Sequence, residues 1–87
     1  GLADGEMKCK VLFFAAAAQA MDCREQEITV QQYATAGDVL ELLAENCEPF
    51  AALSSTCALA VDRQLSKRDT QLCDGCTIAI LPPVSGG

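Results

Sequence analysis

The 87-residue chain contains no histidine, and its six lysines and arginines face twelve aspartates and glutamates. Without histidine the usual general base is missing, and so is the commonest nitrogen ligand for zinc. The shortage of cations leaves a formal net charge of −6, and the few that exist are scattered. Nucleic acids and anionic membrane surfaces are recognised by concentrated basic faces, so neither is an expected partner. No stretch approaches the ~18–20 apolar residues of a membrane span, and no basic region followed by an apolar run and a cleavage site opens the chain. A cytoplasmic protein is expected. No glycine-rich loop precedes a helical pattern, and the carboxylates Asp22 and Glu25 have no partner at catalytic spacing. The chain therefore carries no enzyme constellation of its own.

A chain this short supports one core, because it buries only about 60–65% of its unfolded surface. Residues 1–6 are small and polar, unlike the patterned residues from Met7 onward, and read as a disordered leader or a cloning scar. The domain is expected over residues 7–87, with a flexible tail at 82–87.

Six cysteines in so short a chain raise the question of a disulfide framework. Cys9, Cys47 and Cys57 fall within apolar patterns, where a free thiol behaves as a small buried hydrophobe. Cys73-Asp74-Gly75-Cys76 has metal or redox spacing, yet a structural zinc takes four ligands, and adding Cys47 and Cys57 gives an irregular half-site. Reduced thiols and no metal are expected, with Asp74-Gly75 serving as a turn.

Residues 8–14 alternate, with Cys9, Val11 and Phe13 on one face and Lys8, Lys10, Leu12 and Phe14 on the other, the pattern of a first strand. Residues 15–23 are small and ambiguous. Residues 27–31 alternate again, with Ile28 and Val30 inward, and form a hairpin with the first strand. Thr35 followed by Asp38 resembles a capping box, so a helix starts near Ala36. Its apolar set is Val39, Leu40, Leu42, Leu43 and Cys47, and Pro49 is expected to end it. A short helical turn at 50–53, a strand at 57–61, a brief strand at 62–66 and a last strand after Asp74-Gly75 complete the order. One main helix covers one face of a mixed sheet, which is the α+β class. The uncovered face would carry Leu12, Phe14, Ala79 and Leu81, a patch that a partner would cover.

The C-terminus supplies the chemistry. Thr77-Ile78-Ala79-Ile80-Leu81 reads as a strand, Pro82-Pro83 stops its ladder and holds an extended course, and Gly86-Gly87 ends the chain. Glycine has no Cβ, so such a tip passes through a channel too narrow for side chains. A carboxylate becomes an acyl donor once adenylated by ATP, and a sulfur nucleophile would then leave a thiocarboxylate on Gly87.

The segments Lys10-Val11-Leu12-Phe13-Phe14-Ala15 and Ile78-Ala79-Ile80-Leu81-Pro82-Pro83-Val84-Ser85-Gly86-Gly87 resemble the small, sulfur-carrier subunit of molybdopterin synthase, a family of ubiquitin-like β-grasp fold. The resemblance spans residues 7–87, and the Pro-Pro-Val-Ser-Gly-Gly ending is its most specific part. It implies that Gly87 is the reacting residue, adenylated by an enzyme similar to the ubiquitin-activating class and then thiocarboxylated. It implies that Val84, Ser85 and Gly86 enter the large synthase subunit. There the sulfur passes to cyclic pyranopterin monophosphate, and two transfers build the dithiolene of molybdopterin. Phe14, Leu81, Pro82 and Pro83 would contact the same subunit. ATP is used by the activating enzyme, and no permanently bound cofactor is implied. Cys76 stands where many relatives have an acidic residue, and the helical region diverges. Two alternatives stay open: a thiamine-type or tRNA-type sulfur carrier or a ubiquitin-like modifier joined to lysines, and a thiol or metal interaction module at Cys73 and Cys76.

Overall fold

A computed structural model describes residues 5–84. The elements run β1 (Glu6–Phe13), α1 (Ala15–Met21), β2 (Glu25–Gln31), α2 (Ala36–Glu45), α3 (Glu48–Ser54), β3 (Ala58–Val61), β4 (Gln64–Ser66) and β5 (Thr77–Leu81). The strands form one mixed sheet in the order β2-β1-β5-β3-β4, in which β1 and β5 run parallel and the other neighbours antiparallel. This is the expected α+β, ubiquitin-like arrangement, with α2 the longest of the three helices among the described residues.

Period-two alternation decides which residues enter the core. Met7, Cys9, Val11 and Phe13 of β1, Ile28 and Val30 of β2, Leu59 of β3 and Ile78 and Ile80 of β5 are all buried on the helical face. Val39, Leu40 and Leu43 of α2 and Phe50 of α3 meet them. The Phe13 and Phe50 rings pack edge to face, 6.2 Å apart at 76°.

The expected capping box is formed: the Asp38 N–H donates to Thr35 Oγ1 at 3.2 Å, and the Thr35 N–H donates to Asp38 Oδ2 at 2.9 Å. The Ala36 and Gly37 N–H groups donate to the Thr70 and Arg68 carbonyls, so the loop before β5 completes the start of α2. Gly37 is needed for this approach, since a Cβ there would lie 3.0 Å from the Arg68 carbonyl oxygen.

Several expectations are corrected. Glu6 pairs with Gln31, and the Gln32 N–H donates to the Gly5 carbonyl, so the sheet extends into the segment read as a leader. Residues 15–21 are helical, closed by Asp22 in the left-handed region with the Asp22 and Cys23 N–H groups returning to Gln19 and Ala18. Pro49 opens α3 instead of ending α2, a position where its missing N–H costs nothing. Leu42 is 37% exposed, because it lies at the rim of the α2 stripe and not on its buried arc.

Candidate functional site

The site is organised by two turns that set β5 in place. Cys73, Asp74, Gly75 and Cys76 form a tight turn in which the Cys76 N–H donates to the Cys73 carbonyl at 3.1 Å. Gly75 has φ +84°, the left-handed conformation that the third residue of a type II turn requires. The turn is fastened to β1: the Gly75 N–H donates to the Lys8 carbonyl at 2.7 Å, and the Lys8 N–H donates to Asp74 Oδ1 at 2.8 Å. On the other side, Asp62 and Arg63 make the two-residue hairpin loop between β3 and β4, with φ of 48° and 71°. From that loop the Asp62 carboxylate accepts the Thr77 N–H at 2.9 Å, and the Asp62 N–H donates to the Thr77 carbonyl at 2.8 Å. The start of β5 is therefore held on both sides, Asp74 and Gly75 by β1 and Thr77 by the loop after β3, which fixes the register of the strand that follows.

Register then assembles the open face. Leu12 stands opposite Ala79, Ala79 opposite Ala60, and Ala60 opposite Leu65, giving one apolar row across β1, β5, β3 and β4. Leu81 pairs with Ala58 one row nearer the tail. Leu12, Ala79 and Leu81 are half-buried, whereas Leu65 is 79% exposed. Phe14 is displaced from its expected place. It is not the last strand residue but the N-cap of α1, because Ala15 takes φ +48° and turns the chain out of the ladder. The ring nevertheless remains 47% exposed and lines, with Leu12, Ala60 and Ala79, an open concavity of about 600 Å³. Beside this row, Lys8 faces Glu27 at 3.7 Å and Lys10 faces Glu25 at 3.8 Å across β1 and β2. These exposed pairs contribute little energy but separate the apolar row from a polar flank.

Pro82 is half-buried and Pro83 and Val84 are exposed. Ser85, Gly86 and Gly87 lie outside the described residues. The contributions of Ala60 and Leu65 to the row were not anticipated from the sequence. The alternation of Leu65 between Gln64 and Ser66 is the signal that could have found it.

Cys9 and Cys57 are buried free thiols, as expected, and Cys73-Asp74-Gly75-Cys76 is a turn. Cys76 Sγ lies 3.4 Å from Cys9 Sγ, so the partner of this buried thiol is on β1 and not at Cys73, which is exposed. Burial, with the Cys76 thiol adding to it, pushes Cys9 up to about 12. Burial also raises Cys57, opposed by the Arg68 guanidinium, which donates to the Ser54, Ser55 and Cys57 carbonyls and closes the end of α3. All six cysteines are free, and among the described residues no group of three or more cysteines or carboxylates is placed to hold a metal. Among the same residues no helix is long and apolar enough to cross a membrane.

The sheet has a parallel β1–β5 pair at its centre, and a family model matches residues 11–87 of this chain. The chain belongs to the ThiS family. It is a ubiquitin-like β-grasp member of this sulfur-carrier family. A protein assigned as subunit 1 of molybdopterin converting factor from Pyrococcus furiosus is 27% identical, with a TM-score of 0.80 over 90% of this chain and 99% of that one. Subunit 1 in the complex of subunits 1 and 2 of molybdopterin-converting factor from Helicobacter pylori is 26% identical, with a TM-score of 0.65 over 93% and 100%. Small archaeal modifier protein 1 from Haloferax volcanii is 22% identical, with a TM-score of 0.81 over 92% and 99%, and shares the fold.

Proposed function

We propose that this ThiS-family chain is the sulfur-carrier subunit of a cytoplasmic molybdopterin synthase. The observation that carries the reading is the placement of the apolar row. Leu12, Ala79, Ala60 and Leu65 lie on the face left open by the helices, and the strand that bears Ala79 leads directly into Pro82 and Pro83. A large subunit seated on that row, with Phe14 and Leu81 at its edge, would receive the segment beyond Leu81. The six residues after Leu81 allow Gly87 to reach at most roughly 20–22 Å beyond it. The likeness to subunit 1 of the Helicobacter pylori complex supports this partner.

In the proposed cycle an oxygen of the Gly87 carboxylate attacks the α-phosphate of ATP on an activating enzyme, releasing pyrophosphate. A persulfide on a sulfurtransferase then attacks the acyl carbon and expels AMP, and a second thiol of the transferring enzyme cleaves the resulting acyl disulfide, forming an enzyme disulfide and leaving the thiocarboxylate on Gly87. Its sulfur passes to cyclic pyranopterin monophosphate in the large subunit, and the Gly87 carboxylate is regenerated with an oxygen from water. Residues 84–86 guide the tip and supply no acid or base. The chain's own contribution is to present the terminus at a fixed root and to exclude water from the docked face.

ATP–pyrophosphate exchange with the activating enzyme tests the first step. The full chain is expected to support exchange and the chain lacking Gly87 to lose it, with unchanged circular dichroism. Equal exchange by both proteins overturns the assignment of Gly87. The likeness to small archaeal modifier protein 1 favours a second reading, in which the same activated terminus is joined to lysines. Isopeptide-linked adducts after activation would select it.

A further inference from the structure

β2 is an edge strand, and its outer side is unpaired among the described residues. In the β1–β2 ladder the Phe13 N–H donates to Arg24 and the Gln32 N–H to Gly5, so the even-numbered residues of β2 bond inward. Glu25, Glu27, Thr29 and Gln31 consequently point their N–H and C=O groups outward. Alongside this edge two concavities, of about 440 and 270 Å³, run between β2 and α2 and share Thr29 and Leu42. Their apolar surface includes Leu42, at 37% exposed, and Tyr33, at 72% exposed and held there with φ +73°. An unsatisfied backbone edge beside an apolar groove is the geometry of recognition by strand addition.

We infer that the β2 edge and the groove toward α2 form a second docking site, distinct from the sheet face, for an extended aliphatic segment of a partner protein that carries lysine or arginine. Alternate backbone groups of the segment pair with Glu25, Glu27, Thr29 and Gln31, and its aliphatic side chains cover Leu42 and Tyr33. The basic requirement comes from charge. No lysine or arginine lines the groove, whereas Glu6, Asp38, which also caps α2, and Glu27, which faces Lys8 of β1, do, on a chain of net charge −6. A second copy would bring another −6 against the same edge, which disfavours self-pairing. The site is independent of the tail chemistry, so its failure would leave the proposed function untouched.

The test is titration of the ¹⁵N-labelled full chain with a short capped peptide of alternating valine and threonine with lysine at both ends. Amide shifts are expected along β2, at Tyr33 and at Leu42, and amide exchange is expected to slow at the outward-facing residues Glu25, Glu27, Thr29 and Gln31 in particular. Thr29→Pro deletes one outward donor at an edge position that tolerates proline, and should weaken binding about tenfold or more while Thr29→Val does not. Leu42→Lys, a surface change, should weaken it similarly and serves if Thr29→Pro perturbs the fold. The peptide with glutamate ends should bind more weakly. Shifts centred on Leu12 and Ala79, undiminished binding by folded Thr29→Pro or by Leu42→Lys, or peptide-independent dimerisation through β2 would each overturn the inference.

Discussion

Leu81→Asp separates docking from folding, because Leu81 ends β5 on the open face and is only half-buried in the free domain. Full burial of a leucine contributes about 1.5–3 kcal/mol, so removing a half-buried one costs about 1 kcal/mol of folding stability. The aspartate can turn its carboxylate to water in the free protein. In the docked complex that water is excluded, and the loss combines the remaining leucine burial with desolvation of the charge, about 2–3 kcal/mol together. This corresponds to roughly 30- to 150-fold in Kd. The comparison is urea unfolding of the free domain against calorimetric titration with the large synthase subunit. A variant that is unfolded without partner, or that binds as wild type, would refute the placement of Leu81 at the docking face.

Thr35→Ala removes one half of the capping box and should lower stability by about 1 kcal/mol, read from the urea midpoint; an unchanged midpoint would mean that the Thr70 and Arg68 carbonyls suffice to start α2. Gly75→Ala has open space for its Cβ but must hold φ +84°, so about 1–2 kcal/mol of backbone strain should appear as a lower Tm without loss of the fold. Cys9 is held protonated in the folded state to about pH 12 against 9.0 unfolded. The stabilisation from the protonated thiol is complete below pH 9 and is lost as pH rises toward 12, because the unfolded chain releases its proton first. Stability should therefore fall over that window, by at most about 1.4 kcal/mol per pH unit for each such thiol, and more steeply than in Cys9→Ala. Equal slopes would show that Cys9 is not the group responsible.

The strands and α2 were legible because their signals are local and strong. Cys9, Val11 and Phe13 alternate against lysines, Ile28 and Val30 against polar neighbours, and Thr35 with Asp38 marks a helix start by itself. Failures came where local chemistry is ambivalent or contact is remote. Residues 15–21 are mostly alanine, so no polar face contrasts with an apolar one, and only Ala17 is fully buried within α1. Pro49 reads equally as the end of one helix or the start of the next. The Asp62-Arg63 loop lacks the glycine or asparagine that normally announces a primed turn. Cys9 and Cys76 meet only because β1 and β5 pair in parallel across most of the chain's length, which no spacing rule detects. The open face was half visible: Leu12, Ala79 and Leu81 follow from parity, but Ala60 and Leu65 join them only through the registers of β3 and β4.

In the proposed cycle the reactive sulfur is carried on the terminal carboxylate and not on a cysteine. Intact-mass analysis, followed by mass analysis of the C-terminal peptide, after incubation with ATP, the activating enzyme and a sulfur donor tests it most directly. A gain of about 16 Da, oxygen replaced by sulfur, is expected, confined to the peptide ending in Gly87. An unchanged mass, or a gain of about 32 Da located on Cys73 or another cysteine as a persulfide, would contradict it.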